Sequence, residues 1–228
     1  MMKNIVIIGG SKGIGNAILL QQLENNFIYN ISRNTPEITH PNLKHFSGDV
    51  LQDTLPQIEY IDTLIYCPGS INLKPIGNLS LDDFRKDFEI NVLGAVKCIQ
   101  QYLPILKKGN NPSIVLFSTV AAKLGMPFHA SIATAKSGVE GLVKSLGAEL
   151  ASTVRINAIA PTITETTLSA SILRNDRMKE NMVERHPMKG YLQAQEVADM
   201  ADFLISDKAK SISGQIFEMD YGLVTFKM

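Results

Sequence analysis

Short apolar runs rich in β-formers alternate along this chain with amphipathic helical segments. That pattern predicts an α/β fold, a three-layer αβα sandwich on a doubly wound parallel sheet. Two further observations support it. The first run, Ile5–Ile8, passes directly into Gly9-Gly10 and a helix, the strand-turn-helix order of a βαβ unit. No repeat, low-complexity stretch or linker divides residues 1–228, so a single domain is expected.

Taken in order, Ile5–Ile8 is the first strand, and the next helix carries Ile14, Ala17, Ile18 and Gln21 at helical spacing. A second strand is expected at Phe27–Ile31, then a loop holding Pro36 and Pro41. Asp62–Tyr66, Ser113–Phe117 and Val154–Ile159 read as further buried strands, and Gln215–Met219 closes the sheet. Between them, Phe84, Phe88, Asn91, Ala95, Ile99 and Tyr102 form one helical stripe ending near Pro104. Val139, Leu142, Val143, Leu146 and Leu150 form a second, and Val197, Met200 and Leu204 a third within Glu196–Leu204. Residues 165–191 have weak apolar order and many charges, which fits either a substrate lid or a plain surface helix.

Apolar residues make up 45% of the 228 and charged residues 19%, an ordinary globular balance. Twenty-two basic residues face twenty-two acidic ones, so no electrostatic footprint for nucleic acid exists. Cys67 and Cys98 have no metal-ligand or CxxC spacing, so neither a metal site nor a disulfide framework is expected. The four apolar residues after Met1-Met2-Lys3-Asn4 are too few for a signal-peptide core or a membrane span, and a cytoplasmic location is expected.

Gly9, Gly13 and Gly15 follow the first strand and open the first helix. Such a turn lets backbone N–H groups approach a pyrophosphate, whose charge the helix N-terminus favours. The spacing is GxxxGxG. Gly9-Gly10-Ser11-Lys12-Gly13-Ile14-Gly15 resembles the TGGxxGIG loop of the short-chain dehydrogenase/reductase family, with Ile8 in place of threonine. Gly48-Asp49-Val50 is similar to that family's adenine contact, and Cys67-Pro68-Gly69 stands where it has Asn-Ala-Gly. Asn91 matches its helix asparagine. Asn157-Ala158-Ile159-Ala160-Pro161, with Thr162, Thr164 and Thr166 after it, resembles the stretch along the nicotinamide. Met219-Asp220-Tyr221-Gly222 resembles the C-terminal Asp-Gly-Gly. The resemblance covers nearly the whole chain and implies a Rossmann-like, nicotinamide-binding fold.

The end of the second strand selects the nicotinamide. Ile31-Ser32-Arg33-Asn34 has no carboxylate until Glu37. Arg33 suits a 2′-phosphate, since its planar fork pairs with phosphate, and Lys12 adds a second positive charge. NADPH/NADP is therefore expected in preference to NADH.

The resemblance also implies a catalytic tyrosine, lysine, serine and asparagine. Asn91 and Lys136 match. Thirteen positions before the tyrosine position stands Thr119, with Ser118 beside it as the fallback hydroxyl. The tyrosine position itself holds Ile132, one helical turn before Lys136. Isoleucine donates no proton. His129, His186, Tyr191 and Lys136 itself are the candidate replacements.

Two readings follow. One is an NADPH-dependent oxidoreductase acting on a small or carrier-bound carbonyl (or oxidising the alcohol), with an altered proton donor. The other is a non-catalytic NADP(H)-binding scaffold or regulatory protein of the same fold. Retention of Asn91, Lys136 and the phosphate loop favours the enzyme. Pairing into a homodimer or homotetramer through Leu81–Leu106 and Ile132–Leu150 is implied by the resemblance, and neither nucleic acid nor membrane is an expected partner. Met126, Phe128, Leu168 and Met188 are candidate lining of an apolar pocket.

Overall fold

Seven parallel strands form the central sheet of the computed structural model, in the order β3-β2-β1-β4-β5-β6-β9. The structure describes residues 2–226. The strands are β1 (Asn4–Ile8), β2 (Phe27–Ser32), β3 (Leu43–Ser47), β4 (Thr63–Tyr66), β5 (Ser113–Phe117), β6 (Arg155–Pro161) and β9 (Ile216–Met219). Strand order reverses beside β1, and in such sheets ligands bind outside the carboxyl ends of the strands at that switch. The helices are α1 (Gly13–Gln22), α2 (Leu81–Phe88), α3 (Gly94–Leu106), α4 (Ala130–Glu149), α5 (Asp176–Arg185) and α6 (Ala194–Ile205).

Two apolar layers cover the sheet. One packs Val6, Leu64, Ile114 and Ile156 under Ile99, Tyr102, Val139 and Val143. The other packs Ile5, Ile7, Ile65 and Ile159 under Ile18, Leu19, Val197 and Leu204. Because alternate strand residues face opposite layers, a strand covered on both sides must be apolar throughout. β4 and β5 are buried along their whole lengths.

Three local expectations are corrected. The α3 helix runs through Pro104 to Leu106, and Pro104 is exposed at its last turn. Phe88 is exposed and Phe84 only half-buried, so the α2 end of that stripe faces away from the core. The edge strand β3, half-buried and carrying Lys44 and His45, had no period-2 apolar signal.

Residues 166–191 leave and rejoin the body at a two-residue parallel bridge, β7 (Thr164–Glu165) with β8 (Leu192–Gln193). Within this insertion α5 buries none of its residues. Its N-cap is Asn175, which accepts from the Met178 N–H.

Candidate functional site

The chain turns sharply after β1. Gly9 and Gly13 adopt φ of +80° and +55°, a region that favours glycine. A Cβ on Gly15 would stand 2.3 Å from the Gly9 carbonyl oxygen. The turn is tied to β2 by Gly10 N–H donating to Asn30 Oδ1 at 2.9 Å. Lys12 is the exposed N-cap residue of α1, and no side chain caps that helix. The first-turn N–H groups are thus left for a ligand.

Arg33 lies just past β2, its side chain 76% exposed, with Nη1 4.0 Å from Asp49 Oδ2. Asp49 Oδ1 accepts from Leu51 N–H, and Asp49 N–H donates to Asp53. Gly48, Asp49 and Val50 line a small cavity of about 130 Å³ with Ile31, Phe46 and Leu55.

A larger cavity of about 500 Å³ opens outside the ends of β4, β5 and β6. Ile14, Cys67, Gly69, Thr119, Ile132, Lys136, Pro161, Thr162, Thr164 and Thr166, all picked out from sequence, line it. The helices bring Asn91 behind Gly69, which lines the cavity. Between α2 and α3, Glu89–Leu93 forms a π-helical turn, a feature frequent at functional sites. Side chains hold that turn: Tyr66 Oη donates to the Ile90 carbonyl at 2.6 Å, and Asn91 Nδ2 to the Asp87 carbonyl at 2.8 Å. Asn91 Nδ2 also donates to Ser70 Oγ at 3.0 Å. Asn91 Oδ1 is buried with no hydrogen-bond partner among the described residues.

Lys136 comes from the opposite side, on α4. It is 8% exposed, and Nζ donates to the Phe117 carbonyl at 2.7 Å. Burial lowers its pKa to about 8, against the opposing pull of Cys67 and Asp87. The Cys67 thiol is pushed up to about 12 by burial. A Cβ on Gly69 would lie 3.2 Å from Asn91 Oδ1 and 3.5 Å from Lys136 Nζ. Both polar groups therefore border the one space that the missing side chain leaves.

Ile132 is 5% exposed and lines the cavity a turn from Lys136. The neighbouring hydroxyls separate into two roles. Ser118 Oγ is committed to Glu140 Oε1 at 2.7 Å. Thr119 Oγ1 reaches the Pro161 carbonyl only at 3.5 Å, so its hydrogen remains available to the cavity. His129 is half-buried and lines the cavity, with Nδ1 2.7 Å from the Pro127 carbonyl. His186 is buried in the cavity wall, Nδ1 against the Met182 carbonyl and Nε2 2.8 Å from Thr162 Oγ1. A carbonyl only accepts, so Nδ1 carries hydrogen.

Met126, Phe128 and Leu168 line this cavity as expected. Met188 does not; it is 63% exposed on the far side of the insertion. Tyr191 is also absent from the lining, its hydroxyl directed at Glu165 Oε2 3.4 Å away. Ser70 and Asp87 were missed altogether. Asp87 lies in Leu81-Asp82-Asp83-Phe84-Arg85-Lys86-Asp87, which reads as a solvated face, and nothing local marks it as buried.

Among the described residues no group of three His, Cys, Asp or Glu side chains could hold a metal ion. Among them, too, no helix is long and apolar enough to cross a membrane.

Comparison with known proteins agrees with this architecture. Residues 47–224 match a family model described as enoyl-(acyl carrier protein) reductase. A 3-oxoacyl-[acyl-carrier-protein] reductase from Staphylococcus epidermidis is 26% identical over 98% of this chain and 99% of its own. A short chain dehydrogenase family protein from Francisella tularensis superimposes with a TM-score of 0.88 at 24% identity, over 99% of this chain and 100% of that one. ElxO with NADP bound gives a TM-score of 0.87 at 25% identity, again over 99% and 100% of the two chains.

Proposed function

We propose, from the premise that this chain belongs to the short-chain dehydrogenase/reductase family, that it is an NADPH-dependent oxidoreductase whose proton donor has changed. Its substrate is a carbonyl on a small or carrier-bound molecule, or the corresponding alcohol in reverse. The observation that carries the reading is the convergence of Lys136 Nζ and Asn91 Oδ1 on the space at Gly69. Polar groups buried this way, one of them unpartnered, are costly to keep unless a ligand uses them.

The residues fit a dinucleotide. Gly9, Ser11, Lys12, Gly13, Ile14 and Gly15 are assigned to the pyrophosphate, Arg33 with Lys12 to the 2′-phosphate, and Asp49 and Val50 to the adenine. Cys67, Pro68, Gly69, Asn91 and Lys136 are assigned to the inner ribose, and Pro161, Thr162, Thr164 and Thr166 to the nicotinamide side. When bound, NADPH supplies the hydride. Thr119 Oγ1 donates to the substrate oxygen and orients it. The altered donor is Lys136, on the reading that Ile132 occupies the family's tyrosine position. A lysine with its pKa near 8 is both charged at neutral pH and willing to release a proton. Its Nζ–H passes to the substrate oxygen as the hydroxyl forms, and solvent recharges the amine. His129 and Ser118 are weaker candidates, one with Nδ1 held at the Pro127 carbonyl and the other tied to Glu140.

The insertion 165–191 is assigned as the substrate lid, since Ile172, Met182 and His186 reach from it into the cavity. Residues 1–228 act as one nucleotide-binding domain in the cytoplasm. The apolar groove of Phe84, Phe88 and Leu93 against Thr134 and Ala135 suits pairing into a dimer or tetramer.

The inertness of Ile132 favours one alternative, a non-catalytic NADP(H)-binding scaffold. Calorimetric titration with NADPH and NADH, followed by turnover assays on a 3-oxoacyl carrier thioester and a free ketone, separates the two. Tight NADPH binding with measurable oxidation of NADPH supports the enzyme. Binding without oxidation supports the scaffold, and binding of neither nucleotide defeats both.

A further inference from the structure

Asp87 is 3% exposed, whereas its helix neighbours Asp82 and Asp83 lie at the surface or half-buried with cationic or capping partners. Both of its carboxylate oxygens are used. Ser70 Oγ donates to Oδ1 and Ser131 Oγ to Oδ2, each at 2.5 Å. The same residue's carbonyl accepts from Asn91 Nδ2, and Ser70 Oγ accepts the other bond from that carboxamide. Asn91 is therefore held twice by residue 87, once directly and once through Ser70. Because both amide hydrogens point that way, Oδ1 must face Gly69 and Lys136.

We propose that Asp87 is a positioning residue of this site: its carboxylate orients Ser70 and, through it, the carboxamide of Asn91, and attracts the Lys136 ammonium. The inference rests on reading the cavity as a carbonyl-reducing site. A stitch between α2 and α4 needs no charge, and a buried carboxylate is costly unless paired and hydrogen-bonded. Here Ser70 and Ser131 supply the bonds. Ser70 also lines the cavity, so the network ends where substrate would sit. Cys67 after β4 and Asp87 on α2 both act electrostatically to raise the Lys136 pKa. Glu140, on the same helix as Lys136, accepts instead from Ser118. Asp87 forms no covalent bond in this role and exchanges no electrons. It acts through Asn91 and Lys136.

The test uses the ligand-free protein first, so that it does not depend on turnover. Lysine ¹³Cε resonances are titrated with pH in wild type and Asp87→Asn, with Lys136→Met identifying the signal. The Lys136 midpoint is expected to fall by about one pH unit, a tenfold loss of proton affinity, when the neighbouring charge is removed. Asp82→Asn, an exposed control, leaves it in place. The Asn91 side-chain amide resonances are expected to shift in both Asp87→Asn and Ser70→Ala. In turnover, Asp87→Asn lowers kcat by roughly tenfold or more, with the KM for NADPH within about twofold of wild type. An unmoved Lys136 midpoint or unshifted Asn91 amide overturns the proposal. If Asp87→Asn does not fold, Ser70→Ala decides: a shifted Asn91 amide with an unmoved Lys136 midpoint supports it, and an unshifted amide overturns it. A wild-type protein that shows these shifts but oxidises no NADPH overturns the oxidoreductase reading and leaves the positioning role intact.

Discussion

The Tyr66 hydroxyl occupies the place where Gly94 would carry a side chain: a Cβ there would lie 2.1 Å from Tyr66 Oη. This contact lets Tyr66 donate to the Ile90 carbonyl and hold the π-helical turn that presents Asn91. Gly94→Ala must push the phenol away, at roughly 1–3 kcal/mol for overpacking a full core. Chemical denaturation should show that loss. Adding Tyr66→Phe should recover part of it, and additive losses would show that the two residues do not interact.

Stability should carry a pH signature from Lys136. Its folded pKa is lowered from 10.5 to about 8, so the folded state binds fewer protons than the unfolded state between those values. By linkage, stability from this group rises with pH across that window. The cost of keeping the amine charged at pH 7 is roughly 3 kcal/mol. Lys136→Met should therefore be more stable than wild type at pH 7, with the difference shrinking as pH approaches 10.5. Denaturation of both proteins at several pH values checks the sign; a constant difference would exclude this origin.

Cofactor choice should rest on Arg33. It is exposed and, among the described residues, its ion pair is with Asp49 at the 4.0 Å margin, which leaves it able to engage an added phosphate. Loss of a charge-assisted hydrogen bond of roughly 1.5–3 kcal/mol corresponds to about 10–100-fold. Arg33→Ala should weaken NADPH by that factor and leave NADH within about twofold, read by calorimetry. Equal losses for both nucleotides would remove Arg33 from the 2′-phosphate.

Gly69→Ala places a methyl against Asn91 Oδ1 and Lys136 Nζ. Its φ is not in the left-handed region, so the backbone tolerates alanine. Nucleotide affinity should fall at least about tenfold while thermal stability changes little, since surrounding contacts of 3.2 and 3.5 Å need only small shifts. Unaltered affinity would mean that this space is not used.

Ile132→Tyr places a phenol one turn from Lys136. A positioned acid contributes typically ~10²–10⁴-fold, so turnover of a 3-oxoacyl thioester should rise by at least the lower figure. No gain would show that the cavity has diverged beyond this one residue.

How much of this was visible beforehand depends on how far apart the cooperating residues lie. The positions of six of the seven sheet strands, the glycine turn and the Ile132–Lys136 relationship were legible from the chain, because each is set by periodicity or by neighbours within one turn. β3 was not, since a half-buried edge strand need not alternate. Nor could local pattern distinguish Ser118 from Thr119: Glu140, which takes the serine hydroxyl, lies twenty-two residues on.

The sequence by itself therefore determined the α/β architecture, the glycine turn after β1 and the one-turn spacing of Ile132 and Lys136, because these follow from short-range spacing. Only the tertiary structure decided that Asp87 turns inward, that His186 is buried and His129 half-buried, and that Asn91 Oδ1 and Lys136 Nζ both approach Gly69. Those outcomes depend on which surfaces pack together, and an acidic helix reads as solvated until its partners Ser70 and Ser131 are brought against it.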